Sequence, residues 1–316
     1  MVGYIVRRVL WIIPVLLVVS IITFSLMKAT PGGPWDREKE LSPRQIALLN
    51  SKFGLDDPLP VQYIRWLVGW PTDDGGFQRG LLLGDLGPSY RYPDRSVNEI
   101  VADGIWTTVQ LGVMAFLLAV IVGIPLGVIA ALRQNALPDY IATFISVLGI
   151  TTPSFVIATL LMVVFSVTLG WFPTSGWRGP EYWVLPTVAL ALAPIASIAR
   201  YTRASMLEVT RKDYVRTAHS KGLKERTVVL IHMIRNALIP VVTILGPILA
   251  FLVTGSFIIE LLFSVPGIGR FYVNAIGTRD YGLIMAMTML YAGAVAFMNM
   301  VVDILYAYID PRIRYS

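Results

Sequence analysis

Six stretches of this chain contain no Asp, Glu, Lys or Arg: Val9–Met27, Ile105–Leu132, Tyr140–Trp177, Tyr182–Ala199, Asn236–Ile259 and Tyr281–Val302. Crossing the hydrocarbon core of a bilayer takes about 20 mostly apolar residues, and each stretch is that long or nearly so. The apolar residues lie in continuous runs rather than at regular spacings, so the runs read as membrane spans. Only 15% of the 316 residues are charged and 55% are hydrophobic, whereas a soluble domain carries about 25% charged residues. The fold class that follows is an all-α integral membrane protein with six transmembrane helices.

The span ends are unequally marked. Tyr182–Ala199 is the shortest and carries Pro186 and Pro194. Tyr140–Trp177 exceeds one span; it reads as a helix over Tyr140–Leu169, with Gly170-Trp171-Phe172-Pro173 as the turn leaving the membrane. Arg7 and Arg8 precede the first run as in a signal peptide. The run is too long for a signal core, and Lys28-Ala29-Thr30-Pro31-Gly32-Gly33-Pro34 follows instead of a small-residue cleavage site, so an uncleaved span is expected.

Charge placement orients the spans. Nine basic residues lie between Arg200 and Arg235, against the acids Glu208, Asp213 and Glu225. Lys and Arg beside spans mark the cytoplasmic side. With both termini inside, Arg7, Arg8, Arg133, the 200–235 loop, Arg312 and Arg314 all fall in the cytoplasm. The net charge of +6 is therefore a topology signal, not a nucleic-acid footprint. The chain divides into a cytoplasmic N-terminus and first span (1–28), an extracytoplasmic segment (29–103), and a transmembrane region of helices 2–6 (104–316) containing the 200–235 loop.

The 29–103 segment reads as folded. Ser42-Pro43-Arg44-Gln45 has the pattern of a capping box with Pro at the first helical position, which predicts a helix to about Phe53 and a stop at Gly54. A second amphipathic helix is expected over Pro60–Val68, with Tyr63, Trp66 and Leu67 on one side. Trp35, Trp66, Trp70 and Phe77 suit a layer at the membrane interface, and Gly84–Ser89 is a turn-rich connection.

In the 200–235 loop, Asp213 is suited to cap a short helix over Tyr214–Lys221, ended by Gly222. Two turns are marginal alone in water, so the helix needs a partner surface, and Tyr214, Val215 and Ala218 offer an apolar face for one. Gly123-x-x-x-Gly127 reads as a helix-packing seam or as incidental glycines, with Pro125 able to kink it.

Several chemistries have no support. The chain has no cysteine, and its two histidines, His219 and His232, both lie in the basic loop. There is no zinc-protease, serine-hydrolase or phosphate-loop pattern, so no metal site, catalytic site or ATP site is expected. The spans hold almost no ionisable group, which disfavours an ion-coupled transporter or channel acting alone. Glu260 and Asp303 are the nearest candidates. Uphill transport would need energy from another subunit.

The chain resembles the permease subunits of bacterial ATP-binding-cassette importers of the dipeptide/oligopeptide/nickel family. The resemblance runs from Arg7-Arg8 and Pro14 through Pro31-Gly32-Gly33-Pro34, Gly54-Leu55-Asp56-Asp57-Pro58, Gly84–Ser89, Thr152-Pro153-Ser154-Phe155 and Leu185-Pro186. It continues through Asp213–Leu223, Arg235–Pro240, Pro266-Gly267-Ile268-Gly269, Arg279-Asp280-Tyr281, Asp303-Ile304-Leu305-Tyr306 and Asp310-Pro311-Arg312. Gly87–Tyr92, Ser96-Val97-Asn98 and Gly246-Pro247 make it most like the oligopeptide-type "B" permease. The resemblance implies a non-catalytic subunit of the bacterial cell membrane, forming half of a pathway that works by alternating access. It implies as partners a second homologous permease, two ATPases that carry ATP and magnesium, an extracytoplasmic solute-binding protein and membrane lipid. Oligopeptides are the implied solute; dipeptides, oligosaccharides and nickel chelates are alternatives within the family. Asp213, Tyr214, Arg216, Thr217, Ala218, Lys221 and Gly222 match the ATPase-coupling helix of such permeases. Arg216-Thr217-Ala218 stands where many permeases have Glu-Ala-Ala, which puts a generic Glu salt bridge to the ATPase in doubt. Pro153-Ser154-Phe155 is expected to break the third helix near mid-membrane, and Pro153, Ser154, Phe155, Asn236, Ser256 and Asn299 are candidate pathway residues.

Overall fold

The computed structural model describes residues 2–35, 42–71, 77–92 and 94–309. Asp310-Pro311-Arg312 and Arg314 lie outside the described residues, as do the side chains of Asp303, Leu305 and Tyr306. In chain order the helices are α1 (Val2–Ala29), α2 (Pro43–Phe53), α3 (Leu59–Val68), α4 (Val97–Leu132), α5 (Leu137–Thr151), α6 (Ser154–Leu161) and α7 (Pro180–Thr210). They continue with α8 (Asp213–Ser220), α9 (Glu225–Thr227), α10 (Ile234–Val253), α11 (Phe257–Leu262), α12 (Ile268–Thr278) and α13 (Tyr281–Ile309). Strands β1 (Gly69–Pro71) and β2 (Phe77–Arg79) pair antiparallel. Five helices are long and apolar enough to cross a membrane, and α5 with α6 makes a sixth span if the bent pair counts as one.

The chain forms two compact units. The first comprises Met1–Trp106 and Gly267–Ala296. Here the capping box at Ser42 and Gln45 forms, and α2 ends at Gly54 with φ +63°, as the spacing predicts. The hydroxyls of Ser20 and Tyr63 lie 2.6 Å apart and tie α3 to α1. The β1–β2 hairpin was not foreseen: strands of three residues are too short to show alternation. The core of this unit gathers Val97, Ile100, Ile268, Leu283 and Met287.

Three glycine- and proline-marked segments meet around Asp280, which is 1% exposed. Its carboxylate accepts hydrogen bonds from the Ser89 hydroxyl and from the backbone N–H groups of Tyr90, Arg91 and Leu283. The last of these caps α13. Arg279 and Tyr281 donate to the carbonyls of Gly33 and Gly32. Gly282 lies under Pro88, whose carbonyl oxygen would be 2.1 Å from any added Cβ. Burial first, then the charge of Asp280 and the neighbouring Tyr281, pushes the Tyr90 hydroxyl well above its usual pKa, so it stays protonated.

The second unit comprises Thr107–Pro266 and Phe297–Ser316, and α7 is its centre. An added Cβ on Gly127 would lie 2.5 Å from the Ala199 carbonyl, and one on Gly123 would lie 2.9 Å from Ile198, so the Gly123–Gly127 seam carries α4 onto α7. Gly149 brings α5 equally close to Leu192 and Ala196. Pro125 does not interrupt α4. Pro186 and Pro194 are likewise contained within α7, which extends to Thr210, beyond the expected end at Ala199.

Two expected helices are broken. The span expected over Tyr140–Leu169 is two helices bent by 111°. Pro153 lacks an N–H and forces Thr152 into an extended conformation, φ −91° and ψ 125°. The span expected over Asn236–Ile259 stops at Val253, because Gly255 takes φ +100° and Ser256 is extended, as the residue that caps α11.

Replacing Asp280 with Ala leaves the Ser89 hydroxyl and the Tyr90 and Leu283 N–H groups without their acceptor. It should lower the stability of the detergent-solubilised chain by about 3 kcal/mol or more. Asp280→Asn should cost less because the amide oxygen still accepts. Thermal unfolding checks both, and equal melting of Asp280→Ala and wild type would refute the hub.

Candidate functional site

The basic segment between α7 and α10 is largely helical. α7 ends where Lys212, after Arg211, leaves helical geometry at φ −77° and ψ 146°. Asp213 then occupies the first helical position of α8 rather than the expected cap, and Lys212 is the cap residue, its side chain making no capping bond. A carboxylate in the first turn still favours the helix through its dipole.

At the other end, the spacing predicts the geometry found. Gly222 takes φ +72°, its N–H bonds the His219 carbonyl, and the Leu223 N–H bonds the Ala218 carbonyl. This is the Schellman arrangement. Nothing lies within 4 Å of a Cβ placed on Gly222, so the requirement there is conformational and not steric.

The faces of α8 differ from expectation. Val215 and Ala218, three residues apart on one face, are 2% and 5% exposed. They pack into a cluster with Val128, Met206, Val209, Val228 and Met233. The apolar face expected to meet a partner is thus consumed by the chain itself, which also explains how two turns of helix persist. Of that set Tyr214 alone stays exposed, beside Arg216, Thr217, Ser220 and Lys221. Arg211, Lys212, Lys224 and Arg226 flank this face and are also exposed. Internal pairing of the charges is loose: Arg216 lies 3.8 Å from Asp213, and His219 lies 3.6 Å from Glu225. Glu208, hydrogen-bonded to Lys212, raises the pKa of that ammonium.

The bed under α8 is built by its neighbours. A π-helical segment, Val228–Met233, follows α9 and turns Val228, Val229 and Met233 inward together. A bidentate ion pair joins α5 to α7, with the Arg203 Nε and Nη2 atoms donating to the Asp139 carboxylate at 2.6 and 2.8 Å. The same carboxylate accepts the Asn135 N–H at 2.9 Å, closing the α4–α5 turn. Asp139 is 3% exposed. Sequence reasoning missed this pair because each member borders an apolar stretch rather than interrupting it. The available signal was Asp139 in the first turn after Pro138.

The six pathway candidates all fall in the second unit but are not joined. Pro153 and Phe155 are exposed at the α5–α6 break, Ser154 is half-buried, and Ser256 precedes α11. Asn236 donates to the His232 carbonyl of its own helix, and Asn299 is exposed on α13. No hydrogen bond links any two of these six. Glu260 in α11 is fully buried. Among the described residues no group of three or more His, Cys, Asp and Glu side chains is arranged to hold a metal.

Comparison with known proteins gives a consistent picture. The family model described as "Binding-protein-dependent transport system inner membrane component" matches residues 123–315. A model for the N-terminal part of such membrane components matches residues 1–112. The oligopeptide transport system permease protein OppB of Salmonella typhimurium is 43% identical over 317 aligned residues, covering 100% of both chains. The dipeptide transport system permease protein DppB of Bacillus subtilis is 42% identical over 99% of this chain and 98% of its own. Among solved structures, a chain of the MetNI methionine ABC transporter in an inward-facing conformation shares the fold, with TM-score 0.53 and 16% identity, covering 67% of this chain and 96% of that one.

Gly222→Val should destabilise the end of α8 by roughly 1–2 kcal/mol, since a β-branched residue resists a left-handed backbone. Gly222→Asn should be milder. Hydrogen exchange of the 213–221 amides should quicken about tenfold in the valine variant with the rest of the chain unchanged; unchanged exchange in α8 would refute the assignment.

Proposed function

The chain belongs to the binding-protein-dependent transport system inner membrane component family, and we propose that it is the oligopeptide-type permease subunit of an ATP-driven importer. It is a multi-pass protein of the inner membrane and a non-catalytic component of its transporter; binding-protein and ATPase partners belong to that family role. The observation that carries the oligopeptide reading is full-length similarity to permeases named for oligopeptides. A dipeptide solute is the second reading, favoured by the DppB relative of near-equal identity.

In this reading both termini are cytoplasmic. The α5–α6 pair supports that topology when it counts as one crossing. It tracks α7 along its length, from Asp139 at Arg203 to Gly149 at Leu192 and Ala196, and onward into contacts of α6 with α7. Arg133 and the basic segment after α7 then share one side, the cytoplasmic one by the positive-inside rule.

The outer face of α8 is the proposed ATPase contact. Tyr214 enters an apolar recess of the partner, while Arg216 and Lys221 meet its acidic rim; Thr217 lies between them. Val215 and Ala218 act from beneath by fixing α8 to α7, α10 and the end of α4. Asp213 and Gly222 set the two ends of the helix. ATP and magnesium sit on the partner ATPases. Nucleotide-driven closure of the ATPase pair moves α8, and its bed transmits the shift to the spans. A second, homologous permease completes the pathway. Pro153, Ser154, Phe155, Asn236, Ser256 and Asn299 are proposed to face that pathway or its gate.

The test is affinity purification of the tagged chain from native membranes, followed by peptide-stimulated ATP hydrolysis in the recovered complex. Two ATPases, a second permease and a solute-binding protein should co-purify. Arg216→Glu with Lys221→Glu should lower stimulated hydrolysis about tenfold, equivalent to ~1.4 kcal/mol. The melting of the isolated chain should not change, because both side chains are exposed. A chain that purifies alone, or a double variant with full stimulation, would overturn the reading.

A further inference from the structure

The first unit holds a cavity of about 290 Å³ that the transport reading does not use. Its wall includes Lys28 in the last turn of α1 and Tyr281 and Gly282 in the first turn of α13. Both helices carry spans, Val6–Ala29 and Tyr281–Val302. A cavity floored by the end of one span and the start of another lies at a membrane surface.

Its charge is one-sided. Four cations, Lys28, Lys52, Arg65 and Arg79, line it against one acid, Asp85. Arg65 is paired with Asp57 at 2.7 Å, and Asp85 accepts the Gly87 N–H. Among the described residues no carboxylate comes within ion-pairing distance of Lys28, Lys52 or Arg79. The half-buried Lys28 ammonium instead lies 5.0 Å from the centre of the Tyr281 ring and 5.8 Å from that of Phe24. Cations gathered in a partly desolvated recess attract an anion.

A second recess of about 460 Å³ adjoins it and shares Lys28 and Phe24. It lies between α1 and α3, and its walls are apolar: Ile21, Leu59, Pro60 and the ring of Tyr63. α1 exposes most of its large apolar side chains, so this recess opens on lipid.

We propose that the two recesses together form a binding site for one anionic phospholipid. The phosphate lies among Lys28, Lys52 and Arg79, and an acyl chain lies along α1 against Leu59 and Tyr63. The site rests on these residues alone and stands whichever solute the importer carries. In the proposed orientation the lipid belongs to the outer leaflet.

The test is native mass spectrometry of the purified full-length chain, equilibrated with phosphatidylglycerol or with phosphatidylcholine. The wild type should retain phosphatidylglycerol selectively. Lys28→Gln with Lys52→Gln should cut that retention about twenty-five-fold, each lysine near a lipid surface contributing roughly fivefold, and leave phosphatidylcholine retention unchanged. Arg79→Gln, on an exposed strand position, supplies a variant whose folding is not at risk and should lower retention about fivefold. Equal phosphatidylglycerol retention in wild type and Arg79→Gln would overturn the site. Displacement of the lipid by glycerol 3-phosphate at equal concentration would also overturn it, identifying a soluble phosphate as the ligand.

Discussion

Close backbone approach to α7 is the constraint on which the second unit depends. Between helices surrounded by lipid there is no hydrophobic drive to associate, so association relies on packing contacts and interhelical hydrogen bonds. Small residues permit both. Gly123 and Gly127 on α4 and Gly149 on α5 meet carbonyls and side chains of α7 at distances that exclude any Cβ. Ala189, Ala191, Ala196 and Ala199 on α7 are all buried. Gly112 continues the pattern onto α10, with the Leu252 carbonyl 2.3 Å from where its Cβ would lie. The ion pair of Asp139 and Arg203 adds a directional tie where α5 begins. A charge pair at a span's edge is tolerable because it is bidentate and its remaining lone pair is met by the Asn135 N–H.

That packing determines what the short basic helix can do. An isolated two-turn helix does not persist in water. α8 persists because Val215 and Ala218 are sunk into the ends of α4 and α7 and the π-helical entrance to α10. Side chains that hold the helix cannot also meet a partner, so in the proposed ATPase contact recognition is left to Tyr214 and to the basic residues of the outer face. In the proposed coupling role the same anchoring would let a push on the outer face of α8 bear on the α7 end through Met206 and Val209 and on the α10 entrance through Val228 and Met233.

Much of this was legible in the sequence, and the physical reason is the same in each case. Spans, the capping box at Ser42, the stop at Gly54 and the left-handed Gly222 are encoded within a few adjacent residues, where local rules decide the outcome. The bend at Pro153 was legible as a break but not as a 111° turn, because its angle depends on what the two halves pack against. The α10–α11 break at Gly255 was not seen, since one glycine inside an apolar run does not by itself end a helix. The burial of Val215 and Ala218 was misread because an amphipathic face has the same pattern whether its cover comes from the same chain or another. The Asp280 hub was out of reach: it joins residues near 33, 89 and 281, and no local spacing announces such a meeting.

Those long-range meetings explain why so many short glycine- and proline-containing motifs stand in one chain. Tyr281 and Arg279 reach the carbonyls of Gly32 and Gly33, and Gly282 admits the Pro88 carbonyl. Gly282 is where it is because another segment's backbone comes close, and Gly32 and Gly87 because the chain turns there with positive φ. The Asp280 carboxylate satisfies the exposed N–H groups of one such turn, which a water-poor interface would otherwise leave costly. A first unit built in this way has a fixed loop at 89–91 and a fixed start to its last span. The cation-lined cavity beside it inherits that rigidity, since Tyr90, Tyr281 and Gly282 are both members of the hub's surroundings and walls of the cavity. A preformed recess lowers the ordering cost of binding, so the geometry that closes the fold at the membrane surface would also favour the proposed ligand.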